Sequence, residues 1–170
     1  MKACDSLTRR LAITTALVVP IGSFLTRSIV DLPAWQHVGP IAWAAFSRQA
    51  DLGNGVIYYS LFGIGSTLLA VATAISFRLT RVSSSLRCAI PVYLTAAFAA
   101  GVILATTQAA PQMLSIRHLG NDGMALQRAL DTFTRWQAIR AACITLGYIS
   151  SLWAVLAIGT VRDTRDADTV

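Results

Sequence analysis

Between Val56 and Phe77 no side chain carries a charge, and the same holds from Cys88 until Arg117. A stretch of about 20 apolar residues wound as a helix crosses the roughly 30 Å hydrocarbon layer of a bilayer, where each backbone amide must find its partner within its own segment. These two runs restrict the chain to helices that span a membrane. Two further runs fit the same template, from about Leu11 to Val30 and from about Trp136 to Val161, the last interrupted only by Arg140. The expected architecture is therefore all-α: an integral membrane four-helix bundle in one domain, with spans near 11–30, 56–77, 88–110 and 136–161. Composition agrees, since 55% of the 170 residues are hydrophobic and only 13% are charged, against about a quarter charged in soluble domains.

The first run follows Lys2, Arg9 and Arg10 and so has the beginning of a signal peptide. It is longer than a usual signal core and no A-x-A-like site follows it before Asp31, so it is expected to be retained as a span. The short flanks give orientation. Lys2, Arg9, Arg10, Arg78, Arg81, Arg87, Arg162 and Arg165 fall on one side; Arg27, Arg48, Arg117, Arg128 and Arg135 fall on or near the other. The excess places both N- and C-termini in the cytosol and the chain in the plasma (inner) membrane as a multi-pass protein. The net charge of +6 is scattered among these flanks without a basic stripe, so membrane lipid is the expected partner and nucleic acid is not. Oligomer formation is left open.

Two segments lie between spans on the non-cytosolic side. From Ile41 to about Ala50 the rings suit a short interfacial helix, and Trp35 and Trp43 are expected to act as anchors at headgroup depth. Asn121 or Asp122 is placed to cap a helix starting near Met124 and running into the last span, with Arg128, Asp131 and Arg135 on one exposed face. Pro91 is expected in the opening turn of the third span, where proline costs a helix little. The glycines of Gly63-Ile64-Gly65-Ser66, in mid-span with no strand before them, are expected to let helices approach closely rather than to cradle a phosphate.

Cofactor signatures do not appear. The only histidines, His37 and His118, fall outside the spans, which does not suit a haem held inside the bundle. Cys4, Cys88 and Cys143 form no CxxC pair, and no zinc spacing exists. Combining His37 and His118 with Asp31, Asp51 or Asp122 is the sole arrangement suggesting a metal, and solvated loop histidines are commoner. No metal and no cofactor are therefore expected. Inverted repeats and midplane acids, the marks of a coupled carrier, are also missing.

The residue that stands out is Arg140, about one turn inside the membrane. An unpaired charge there costs about 2.5 kcal/mol or more at the helix centre, so it either snorkels to the interface or turns inward to a partner. Turned inward, it would meet Thr106, Thr107 and Gln108 of the third span, with Asp51 and Asn54 at the mouth of the second and Trp136 one turn above it. These residues form a candidate ligand-binding pocket, built on Arg140, Trp136, Gln108, Thr107, Asp51 and Asn54, for the anionic or phenolic end of an apolar small molecule.

The stretch Phe133-Thr134-Arg135-Trp136-Gln137-Ala138-Ile139-Arg140 leading into Trp153-Ala154, the pairs Thr106-Thr107 and Ala110-Pro111, and the turn Asp51-Leu52-Gly53-Asn54-Gly55 together resemble the anthrone-oxygenase-like family of small four-helix membrane proteins. Some members carry a histidine between the tryptophan and arginine of the last helix, where this chain has Ile139. The resemblance implies a four-helix architecture. For the fungal members it implies oxidation of anthrones to anthraquinones, while most bacterial members are of unknown function. Two functions stand side by side on the sequence: a membrane protein whose bundle binds an apolar small molecule without catalysis of its own, and a cofactor-independent membrane oxygenase or redox enzyme acting on lipid-soluble aromatics. Whether the chain is an enzyme is not decided by its residues.

Overall fold

The computed structural model describes residues 26–80 and 86–167, and among them there is no strand. A π-helical turn, Arg27–Asp31, leads into α1 (Leu32–Val38), α2 (Pro40–Gln49), α3 (Asn54–Thr80), α4 (Leu86–Ser115) and α5 (Gly123–Ala167). Three of these helices are long and apolar enough to cross a membrane, over Asn54–Leu79, Cys88–Ser115 and Gly123–Ala157. They contain the three later spans expected from the sequence. The expected first span lies outside the described residues except for its last few positions, which form the π-helical turn.

Helix ends follow local chemistry. Asp122 Oδ1 accepts hydrogen bonds from the backbone N–H of Met124 (3.0 Å) and Ala125 (3.2 Å), which is the cap expected for α5. Pro33 and Pro40 stand at the first or second positions of α1 and α2, where a missing N–H leaves no bond unmade. Between these helices Gly39 turns the chain at φ 90°, a conformation costly to residues with a Cβ. Gly55 is equally constrained, because a Cβ there would lie 2.7 Å from the Ala50 carbonyl oxygen.

The 45 residues of α5 extend about 68 Å, more than twice the hydrocarbon thickness. Its first turns accordingly project past the other spans, and α1 and α2 fold back over them. There the main core forms: Leu32, Trp35, Trp43 and Ala44 pack with Met113 and Ile116 of α4 and its following turn, and with Leu126, Leu130 and Phe133 of α5. Burial of one large apolar side chain in such a cap contributes about 1.5–3 kcal/mol. Two arginines fasten it. Arg48 donates from Nε to the Ile116 carbonyl (3.0 Å) and from Nη2 to that of Gly120, while Arg117 Nη2 donates to the Leu52 carbonyl at 3.1 Å.

This fold-back corrects the expected role of the tryptophans. Trp43 is fully buried and Trp35 nearly so; Trp43 packs on Phe133 with ring centroids 6.0 Å apart. The rings serve the cap rather than a lipid interface, because α1 and α2 turn them into its core.

Below the cap, packing changes character. Lipid is as apolar as leucine, so membrane helices associate through close approach rather than through expulsion of water. Along α3 the large side chains point outward, as in Ile57 at 73% and Leu61 at 74% exposure. Helices α4 and α5 meet where a Cβ on Gly101 would stand 3.0 Å from Cys143 Sγ and one on Gly147 3.3 Å from Phe98 Cβ. Among the described residues, Gly63 and Gly65, expected to serve this purpose, have nothing within 4 Å of an added Cβ, because α3 stands apart from α4 and α5 at that depth. Its contact with them returns lower down, at Ala74 and Phe77 against Val92 and Ala96.

One smaller expectation also changes. Since α4 begins at Leu86, Pro91 falls in its second turn, inside the helix, and deprives the Arg87 carbonyl of its i+4 donor. Arg128, Asp131 and Arg135 share an exposed face as expected, and Asp131 accepts a hydrogen bond from Gln127 Nε2 at 2.8 Å.

A candidate ligand cavity

Where α3 stands away from α4 and α5, a cavity of about 690 Å³ opens between the three helices. It is bounded at one end by the cap and at the other by the rejoined helices near Ala70, Thr95 and Ser151. On α5 the wall is made by Phe133, Arg140, Ile144, Gly147 and Ser151, residues spaced in threes, fours and sevens that share one helical face.

Its polar groups gather at the cap end. Arg27 Nη2 lies 2.7 Å from Asp51 Oδ2, with both side chains at 10% exposure or less. The carboxylate oxygen lies off the N–H directions, so this is an ion pair without an aligned hydrogen bond to that atom. Arg27 Nη1 donates to the Tyr59 hydroxyl at 2.6 Å. Three rings surround the same guanidinium: its Cζ is 5.0 Å from the centroid of Tyr59, 5.2 Å from Trp35 and 6.0 Å from Phe133. Each such cation–π contact adds about 0.5–2 kcal/mol, more where water is excluded.

Arg140 is a second cation on the same cavity. Its Nε is buried with no hydrogen-bond partner, and it makes no ion pair among the described residues. Arg27, Tyr59 and Asp51 are the titratable groups that act on it through space. Tyr59 is five residues into α3, which places the cluster about 7 Å below the start of that helix. Two guanidinium groups against one carboxylate leave the cap end of the cavity with an excess positive charge.

Of the residues the sequence nominated, Arg140, Thr107 and Asp51 line the cavity, as does Thr106. Gln108 and Asn54 are exposed. Trp136 is half-buried and packs on the cap core. Arg27, Tyr59 and Phe133 join the site without having been nominated. Arg27 was counted with the flanking charges, although an arginine closing an apolar run, with Asp31 and Asp51 ahead of it, is a signal that an inward partner exists.

Beside the cavity, the seam between α2 and α5 holds further buried polar atoms. Gln137 is fully buried, and neither its Oε1 nor its Nε2 has a hydrogen-bond partner. Trp43 Nε1, Ser47 Oγ and Thr134 Oγ1 are likewise buried without one. His37 and His118 are exposed, and no group of three or more metal-binding side chains occurs among the described residues.

No protein family, curated protein or solved structure matches the chain.

Proposed function

We propose that the chain is a four-span protein of the inner membrane, with both termini cytosolic, whose bundle binds an apolar small molecule with its polar end against Arg140. The observation that carries this reading is the pairing of a partly open, mostly apolar space of about 690 Å³ with two arginines at one end only. That volume is within the range of small-molecule sites, about 300–1,000 Å³, which are mostly apolar with a few placed polar groups. The resemblance to the anthrone-oxygenase-like family belongs to the same proposal, as an architecture that frames such a site in the outer half of the bilayer.

The test uses Arg140→Leu. Purified protein is titrated with a panel of hydroxylated naphthoquinones and phenols, read by quenching of tryptophan emission, with expression and thermal unfolding measured in parallel. The proposal expects binding in the wild type and its loss, with retained folding, in the variant. Unchanged binding in a folded variant contradicts it.

A further inference from the structure

The cavity's shape and the bonding of its walls narrow the ligand class, on the footing of the binding function proposed above. Lining residues run from Val56 to Ala70 on α3, from Thr95 to Leu114 on α4 and from Phe133 to Ser151 on α5. At 1.5 Å per residue these lengths are about 21 to 28 Å, most of the roughly 30 Å hydrocarbon layer. A volume of about 690 Å³, spread along that length and partly open, suits an extended hydrocarbon chain laid lengthwise.

Most hydroxyls along the shaft are bonded within their own helices. Ser66 and Thr67 both donate to the Gly63 carbonyl, Thr95 to Pro91, Thr106 to Val102, Thr107 to Leu104 and Ser151 to Tyr148, each within its own helix. These six donors are committed, Ser60 and Tyr148 lining the shaft without such a bond, and the charged groups of the cavity are gathered at its cap end. There Asp51 already neutralises Arg27, and Arg140 Nε has no partner. A neutral phenol would leave that charge uncompensated at membrane depth, whereas an anion would complete it with charge-assisted hydrogen bonds.

We infer that the cavity holds a single-chain anionic amphiphile, its carboxylate or phosphate head on Arg140 and its extended hydrocarbon tail along the shaft between α3, α4 and α5. Arg27, held by Asp51, by the Tyr59 hydroxyl and by three rings, stays in place when the ligand leaves.

The experiment places the full chain in phosphatidylcholine nanodiscs and measures binding of palmitate, hexadecyl phosphate, hexadecanol, acetate and inorganic phosphate. Palmitate or hexadecyl phosphate should bind about tenfold to a hundredfold tighter than hexadecanol, the range expected of hydrogen bonds to a charged group. The better of the two identifies the head chemistry. Arg140→Gln should erase that preference, and Arg140→Lys should keep part of it. Acetate and inorganic phosphate should bind wild type and Arg140→Gln equally weakly. Hexadecanol binding as tightly as both anions overturns the inference, as does full-strength binding of either free anion. If Arg140→Gln fails to fold, the comparison of palmitate and hexadecyl phosphate with hexadecanol in the wild type decides alone. Hydroxyquinone binding without binding of either long-chain anion overturns this inference and leaves the broader binding function standing; no binding of any probe removes both.

Discussion

Arg27 and Asp51 meet as a buried ion pair, Nη2 to Oδ2 at 2.7 Å, although two short helices separate them in sequence. The pair closes the π-helical turn onto the loop that precedes α3, and thereby fixes one end of the cavity. Removing one partner of a buried pair strands the other charge, which costs about 3–5 kcal/mol. Asp51→Asn should therefore lower the unfolding temperature in detergent markedly. The double variant Arg27→Met/Asp51→Leu, with no charge left to strand, should recover most of the loss; equal destabilisation by single and double variants would show that the pair is not what holds this end.

Gln137 gives the opposite sign. A fully buried amide with neither end partnered carries a desolvation cost of about 1–3 kcal/mol. Gln137→Leu, similar in size and without that cost, is expected to raise stability by about 1 kcal/mol. Thermal unfolding checks it, and a destabilised variant would mean that the amide is bonded.

Tryptophan positions can be read by quenching. Trp43 is fully buried and Trp35 nearly so, while Trp153 is 46% exposed on a membrane-spanning helix. In single-tryptophan variants, brominated lipid should quench Trp153 strongly and Trp43 hardly at all. Trp43→Ala should cost about 3–5 kcal/mol, as large-to-small changes in well-packed cores do.

The glycines separate close packing from open space. A Cβ at Gly101 would meet Cys143 Sγ at 3.0 Å, and one at Gly63 would meet nothing within 4 Å. Gly101→Val should therefore destabilise by about 1–3 kcal/mol through overpacking. Gly63→Ala should be neutral or stabilising by about 0.5–1 kcal/mol, as the helix loses a flexible residue. Unfolding of the two proteins under one detergent makes the comparison.

Much of the fold is visible in the sequence because its causes are local. Uncharged runs mark α3, α4 and the apolar part of α5, Asp122 announces the start of α5, and Pro40 with the rings after it marks α2. What the sequence hides is set by contacts between distant segments. Trp43 has the composition of an interfacial anchor, and only the folding of α2 onto α5 turns it inward. Gly63 and Gly101 have the same local setting in apolar helices; the spacing of the neighbouring helix decides which one is needed. Within the site, Arg140 stands out as a charge in an apolar run, and Thr107 and Asp51 follow from the antiparallel order of the spans. Arg27 and Tyr59 do not, because their meeting depends on the π-helical turn and the cap bringing them to the same depth. Gln108 and Asn54 are at the expected depth on faces turned outward, a matter of helix rotation that an almost uniformly apolar sequence does not specify.

Arg140 is proposed to hold the polar end of a molecule seated between α3, α4 and α5. Native mass spectrometry of the protein released from its own membrane into a mild, uncharged detergent tests this most directly. A bound small molecule of defined mass should accompany the wild type and be lost from folded Arg140→Leu. Wild type without any adduct, or the same adduct at the same occupancy in both proteins, would contradict the account.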